Sequence, residues 1–235
     1  MNTYSHQAQQ KIEVARAIVS RIKPGQRIGV GTGSTVNAAL DALAIRTQDE
    51  ELNLEVVPTS YQTEWRCREL GLTVLKINST TDIDWCFDGA DQYDSKLRLI
   101  KGLGGALYKE KVVASASKSF VVIASEDKFV QHLGKGCPVP VEIAPDLRFD
   151  VEEQLTALGA IDISLRMIEM NQRSFIYFTE NGNIILDAFF PSVTDDLESQ
   201  INAVEGVLEN GLFLTQASEV LVAGKDGVQS ITRGA

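Results

Sequence analysis

Within residues 88–111, DGADQYDSKLRLIKGLGGALYKEK, two carboxylates stand three residues apart (Asp88, Asp91), an amine (Lys101) opens a run of glycines, and a further carboxylate (Glu110) follows. Those residue types suit a reaction in which a proton leaves carbon while charge appears on the neighbouring oxygen. A carboxylate takes the proton, and an ammonium or backbone N–H groups receive the charge. Glu110 is flanked at i−4, i−3, i+3 and i+4 by Ala106, Leu107, Val113 and Ala114. A carboxylate on an apolar stripe has its pKa raised by desolvation, toward the range where it exchanges protons near neutrality. Lys109 has apolar neighbours in the same short helix, so periodicity does not separate the two, and alone Glu110 reads equally as a surface residue.

Asp88 and Asp91 come just past the apolar stub WCF, at the carboxyl end of a strand, where open α/β sheets bind ligands. Gly89 and Ala90 keep that approach uncrowded. The same four residues also fit a solvated turn with an aspartate helix cap, or a magnesium site, for which no further acidic cluster lies close by. In GTGST, Gly31 and Gly33 allow a tight turn. Thr32, Gly33, Ser34 and Thr35 then offer hydroxyls and N–H groups to an oxyanion, phosphate above all, at a helix N-terminus. The pattern serves equally as a structural strand-to-helix turn with N-cap hydroxyls. It is neither the dinucleotide fingerprint nor a P-loop, because the third glycine and the Gly-Lys pair are missing. Lys11 on the first helix and Lys128 after the strand FVVIAS are solvated charges by default, with Lys128 better placed for a ligand at the top of a sheet.

The elements that must hold these groups alternate. QAQQKIEVARAIVSRI is an amphipathic helix closed by Pro24-Gly25. RIGV, LEVVPTS, LTVLKI, IDWCFD and SFVVIAS read as strands, separated by helices over VNAALDAL, QTEWRCREL (with Gly71 as its cap) and about 105–118. This rhythm predicts an open, mostly parallel, Rossmann-like α/β sheet with helices on both faces. From GKGCPVPVEIAPD onward it changes to a compact α+β pattern, with a hairpin expected about Asn181-Gly182. The expected division is 1–132 plus 211–235 as the α/β domain and 133–210 as a smaller inserted domain, a lid or an oligomer interface. The closing strands, around an Asp-Gly turn, return to the first sheet.

Composition narrows the function classes. With 235 residues, 44% of them hydrophobic, the chain is long enough to bury a core. Its 22 Lys plus Arg against 32 Asp plus Glu, net −10, repel nucleic acid and anionic membranes, and no basic cluster offsets this. No apolar run reaches a membrane span and MNTYSHQAQQK lacks a signal-peptide core, so a cytoplasmic protein is expected. Cys67, Cys86 and Cys137 have no metal or disulfide spacing and are expected to be reduced and structural. His6 and His132 are the only histidines, too few for a histidine metal site or triad.

In order and spacing, GVGTGST, DGAD, IKGLGGAL, KEK and ASEDK resemble type A ribose-5-phosphate isomerase, and the likeness runs from about Lys11 to Ile231. The resemblance implies an aldose–ketose isomerase without metal or cofactor, interconverting ribose 5-phosphate and ribulose 5-phosphate in the pentose phosphate pathway, as a homodimer or homotetramer. It implies that Glu110 is the catalytic base. It also implies that Thr32 to Thr35, Asp88 to Asp91, Lys101, Gly102, Leu103, Gly104, Lys128 and Lys11 contact the phosphosugar. The chemistry of such a reaction agrees: Glu110 would shuttle a proton between C1 and C2 through a cis-enediolate. Lys101 and the amides of 101–105 would stabilise the oxyanion, and Asp88 and Asp91 would hold hydroxyls and assist ring opening. Two departures stand out: Gln92 where the family has glutamate, and Leu103 where it has glycine. The competing readings are a sugar-phosphate effector domain of a transcription regulator, which would want a basic helix-turn-helix, and a coenzyme A transferase relative with a nucleophilic glutamate.

Overall fold

The computed structural model describes residues 3–78 and 81–233. The chain divides into two compact units, one within 1–90, 109–129 and 215–235, the other within 91–108 and 130–214.

The first unit is built on a seven-stranded sheet ordered Gly227–Thr232, Glu219–Gly224, Phe120–Ser125, Trp85–Asp88, Arg27–Val30, Glu55–Pro58, Thr73–Val74. Every neighbouring pair is parallel except the first, whose antiparallel turn carries Gly227 at φ +91. Alternation along each strand sends Ile28, Val30, Phe87 and Ile123 to one face, where they are buried with Ile18 and Ile22 from the first helix region and Leu40 and Leu43 of helix Ser34–Asp49. On the other face Gly29 lets helix Leu107–Ala116 lie directly on the sheet: a Cβ there would sit 2.6 Å from Val113 Cγ1 and 2.4 Å from Cys86 Cβ. Helices therefore cover both faces. Helix Tyr61–Glu69 ends as its sequence predicts: Gly71 takes φ +75, its amide reaches Arg68 O at 3.0 Å, and Leu72 N reaches Cys67 O at 2.9 Å, a Schellman motif. The expected strand LTVLKI shrinks to Thr73–Val74 at the sheet edge, where only one side offers pairing partners.

The second unit is an α+β body. Its four-stranded antiparallel sheet runs Val207–Asn210, Val139–Ile143, Ile184–Phe189, Asp162–Leu165. Its core joins Val139, Val141, Ile143 and Leu186 to Val151, Leu155, Leu197 and Ile201 of two helices. Residues 91–108, which the sequence rhythm groups with the first sheet, are counted here because Leu99–Ile100 pairs with both Gln92–Tyr93 and Leu212–Phe213. The hairpin expected about Asn181-Gly182 is reduced to a single bridge, Phe178 to Ile184. The strand Arg173–Ile176 instead pairs with Met167–Met170 through Asn171 and Gln172, at φ 51 and 61. Two consecutive left-handed residues make a turn whose twist matches a two-residue hairpin. Among the described residues no helix is long and apolar enough to cross a membrane.

Candidate active site

The strand order of the first unit reverses between Arg27–Val30, whose next strand lies on one side, and Trp85–Asp88 on the other. Ligands of open α/β sheets bind at the carboxyl ends flanking such a reversal, here Gly31 and Asp88. The two are pressed together: a Cβ on Gly31 would lie 2.0 Å from both Cγ and Oδ1 of Asp88. Asp88 is 3% exposed, and its Oδ1 accepts the amides of Thr32 (3.1 Å) and Gly89 (2.7 Å). Two N–H donors on one oxygen hold the carboxylate in a single orientation at the strand end.

Beside it lies a hydroxyl cluster that sequence reasoning missed. Thr32 Oγ1 stands 2.8 Å from Thr59 Oγ1, 2.8 Å from Ser60 Oγ and 3.2 Å from Thr63 Oγ1. Thr63 donates in turn to Gly31 O at 2.9 Å. Ser60 is the N-cap of helix Tyr61–Glu69 and accepts Thr63 N. The local signal was present, a serine closing PTS three residues before a threonine at a helix start. Its convergence on Thr32 was not.

Ser34 and Thr35 do not cap the following helix, as the sequence pattern suggested. Gly33 occupies the N-cap at φ +125 with no side-chain bond, and Ser34 opens the helix. The Ser34 hydroxyl is thereby left to accept Lys11 Nζ at 2.9 Å. A helix N-terminus, a hydroxyl and an ammonium brought together suit a phosphate, with both the dipole and the charge favouring an anion.

Glu110 lies in the first turn of helix Leu107–Ala116. That helix connects the adjacent parallel strands Trp85–Asp88 and Phe120–Ser125 and so runs opposite to them, with its N-terminal turn at the carboxyl edge of the sheet. Val113 packs on Gly29, and Glu110 lies one turn earlier, toward the carboxyl edge. It is 4% exposed, whereas the ammonium of Lys109 lies over the Tyr61 ring, 3.8 Å from its centroid. Burial thus separates the two residues that periodicity left equivalent. Lys128 closes a short 3₁₀ turn directly after Phe120–Ser125, at the same edge. Ala90, half-buried, ends the first of the three segments of the first unit.

The second unit carries Asp91 and the glycine cluster. Lys101 is 3% exposed, its ammonium 5.6 Å from the Phe213 ring centroid. Gly102 and Gly105 take φ +92 and +83, and Gly105 N bonds Gly102 O at 2.9 Å, closing a turn with Leu103 and Gly104 at its centre. Leu103 is absent from the left-handed region, which is why a side chain is tolerated where the resembled family has glycine. Its amide donates to Asp91 Oδ2 at 3.1 Å, while Lys101 N is taken by Gly211 O at 2.8 Å. Three of the five amides expected to face an oxyanion, those of residues 101, 103 and 105, are therefore already engaged. Gln92 is buried and ties the loop below: its Nε2 donates to Lys135 O and its Oε1 accepts Gly134 N, each at 2.9 Å.

The three cysteines are buried, and burial pushes the Cys67 thiol up to about 12, which keeps it unreactive. Among the described residues no three His, Cys, Asp or Glu side chains gather where they could hold a metal ion.

The family described as Ribose 5-phosphate isomerase A (phosphoriboisomerase A) matches residues 55–227. The chain is 38% identical over 230 residues to ribose-5-phosphate isomerase A of Rhizobium meliloti, covering 95% of this chain and 97% of that one. It is 39% identical over 235 residues to the protein of the same name from Prochlorococcus marinus, covering 97% and 98%. Among solved structures, ribose 5-phosphate isomerase A from Methanocaldococcus jannaschii superposes with a TM-score of 0.91 at 34% identity, covering 96% and 99%. A D-ribose-5-phosphate isomerase in complex with phospho-erythronic acid superposes at 0.92 and 34%, covering 99% and 100%.

Proposed function

The chain belongs to the ribose 5-phosphate isomerase A family, and from that premise we infer that it interconverts ribose 5-phosphate and ribulose 5-phosphate, with Glu110 as the base. The observation that carries the reaction is the match to relatives of that name over nearly the whole chain. The roles of the residues rest on the geometry. Glu110 is a buried carboxylate in a helix turn at the carboxyl edge of the sheet. It takes the proton from C2 of the opened aldose, leaving a cis-enediolate, and returns it to C1, so that one base serves both carbons. Lys101 and the amides of Gly102 and Gly104 receive the charge that develops on oxygen.

Asp88, fixed by two amides, orients sugar hydroxyls and assists opening of the furanose, and Asp91 acts with it. The phosphate goes to the start of helix Ser34–Asp49, where Lys11 and Ser34 meet, and Lys128 adds charge against a chain of net −10. Self-association as a dimer or tetramer belongs to the same reading. The ribbon Met167–Met170 with Arg173–Ile176 supports it by leaving Met170 58% and Phe175 49% exposed, since apolar patches of this kind mark interaction surfaces.

The test is direct. The purified protein, given ribose 5-phosphate, is expected to form ketose, and in heavy water to exchange the C2 hydrogen with solvent. Glu110→Gln is expected to fold normally and lose at least roughly 10²-fold in kcat with a similar KM. Near-normal turnover in that variant rejects Glu110 as the base, and absence of ketose with the unaltered protein rejects the reaction.

A further inference from the structure

The turn at 102–105 is gripped from behind by a pair outside every motif discussed so far. Arg166 lies just past strand Asp162–Leu165, and Asp187 lies in the paired strand Ile184–Phe189. Their side chains are 12% and 16% exposed. Arg166 Nε donates to Asp187 Oδ2 at 2.8 Å and Nη2 to Oδ1, a bidentate fork that fixes the plane of the guanidinium. The remaining nitrogen, Nη1, reaches the carbonyl oxygens of Gly102 (3.1 Å) and Leu103 (2.9 Å).

Peptide planarity converts that grip into a direction for the amides. In a trans peptide the carbonyl and the next residue's N–H point opposite ways. Holding Gly102 O therefore turns Leu103 N–H away from the guanidinium, and it is found on Asp91 Oδ2. Holding Leu103 O turns Gly104 N–H away in the same manner, and the Gly104 amide makes no hydrogen bond among the described residues. Next in the chain, Gly105 accommodates the Tyr177 phenol, whose oxygen lies 2.1 Å from where a Cβ would be. Tyr177 N in turn bonds Arg166 O at 3.0 Å.

We propose that Arg166, oriented by Asp187, is a positioning residue that sets the peptide planes of the 102–104 turn, presenting the Gly104 N–H to the enediolate oxygen and aligning Asp91. The proposal rests on the reading of this turn as the oxyanion donor. It explains why an arginine is needed: only a planar fork binds a carboxylate with one edge and two carbonyls with the other, and a lysine ammonium has no such geometry.

The test uses the full-length protein with Arg166→Lys and Asp187→Asn. Each is expected to lower kcat by about 10²-fold, the scale set by an approximately 1 Å misplacement of a catalytic donor, with the KM for ribose 5-phosphate changed by less than about threefold. Phospho-erythronic acid, whose carboxylate carries two coplanar oxygens sharing one negative charge as the enediolate does, is the second readout. Its inhibition constant is expected to rise by a factor comparable to the fall in kcat, because it calls on the same donor. The proposal is overturned by unchanged kcat in both variants, or by a fall in kcat with the inhibition constant unmoved. Equal weakening of substrate and inhibitor, with a collapsed melting transition in both variants, also overturns it in favour of a structural role. If the unaltered protein forms no ketose, the functional reading has failed instead, and the two failures are distinguishable.

Discussion

Gly31→Ala probes the contact on which the geometry at the sheet reversal depends. The position is not in the left-handed region, so alanine meets no backbone strain, and the perturbation is the methyl group alone. That methyl would stand 2.0 Å from Asp88 Cγ and Oδ1 and 2.5 Å from its Cβ. Restoring a normal separation of about 3.5 Å requires a displacement of about 1.5 Å. Thr32 N and Gly89 N, now 3.1 and 2.7 Å from Oδ1, cannot both follow, since one lies on each of the two chain segments being pushed apart. Hydrogen bonds to a charged acceptor contribute about 1.5–3 kcal/mol each. Loss of one to two of them puts the destabilisation near 3 kcal/mol, roughly 6–12 °C in Tm for a chain of this size. A carboxylate displaced by more than 1 Å also costs about 10² in kcat/KM. Ketose formation from ribose 5-phosphate and a thermal melt measure the two effects. Activity within about threefold of the parent at an unchanged Tm would refute the assignment of Asp88 as a rigidly held site group. Gly33→Ala is the control: there φ is +125 and nothing lies within 4 Å of the added methyl, so strain acts without a clash and Asp88 stays in place.

Lys11→Ala removes the ammonium at Ser34 and is expected to raise KM about tenfold, the equivalent of 1.4 kcal/mol, with little change in kcat and a weaker dependence of KM on salt; an unchanged KM removes Lys11 from the phosphate site. Gly105→Ala combines φ +83 with a methyl 2.1 Å from the Tyr177 oxygen, so a loss of at least about 2 kcal/mol in stability is expected, partly recovered when Tyr177→Ala opens the space. A double variant no more stable than the single one would show that the phenol is not the obstacle. Glu219 is held below the usual carboxylate range by its hydrogen bond from Arg21, at 2.8 Å, with Ser230 as a further donor. A depressed folded pKa contributes stability above the unfolded value of about 4.3 and loses it as pH falls through the folded one. Glu219→Gln should therefore lower stability by up to about 1 kcal/mol at pH 7, and the gap in Tm should close toward pH 3. A gap independent of pH would mean that packing, rather than charge, is lost.

Local pattern carried much of this protein. The mostly parallel sheet, the strand-to-helix glycine turn, the Schellman cap at Gly71 and the placement of Asp88 at a strand end all follow from alternation, glycine chemistry and apolar runs that act over a few residues. Glu110 was visible as one of two candidates on a short helix. Only its packing, 4% exposed while Lys109 lies over Tyr61, chose between them, because helical periodicity in a ten-residue element says which residues share a face and not which face meets the sheet. The convergence of hydroxyls on Thr32 and the guanidinium behind Gly102 and Leu103 left no such trace. Each joins groups brought together by strand pairing rather than by neighbourhood in the chain, Arg166 and Gly102 being 64 positions apart. The hairpin about Asn181-Gly182 shows the same limit: the chain turns there, with Thr179 N on Asn183 O at 2.8 Å, but pairing stops at the single bridge from Phe178 to Ile184. Asn-Gly makes the tight turn, but how far the flanking strands pair is settled by the whole sheet: Ile184–Phe189 lies between Val139–Ile143 and Asp162–Leu165, which leaves Arg173–Ile176 to pair with Met167–Met170. The residue types thus determined which chemistry was possible, and long-range pairing decided which groups within each unit stand together.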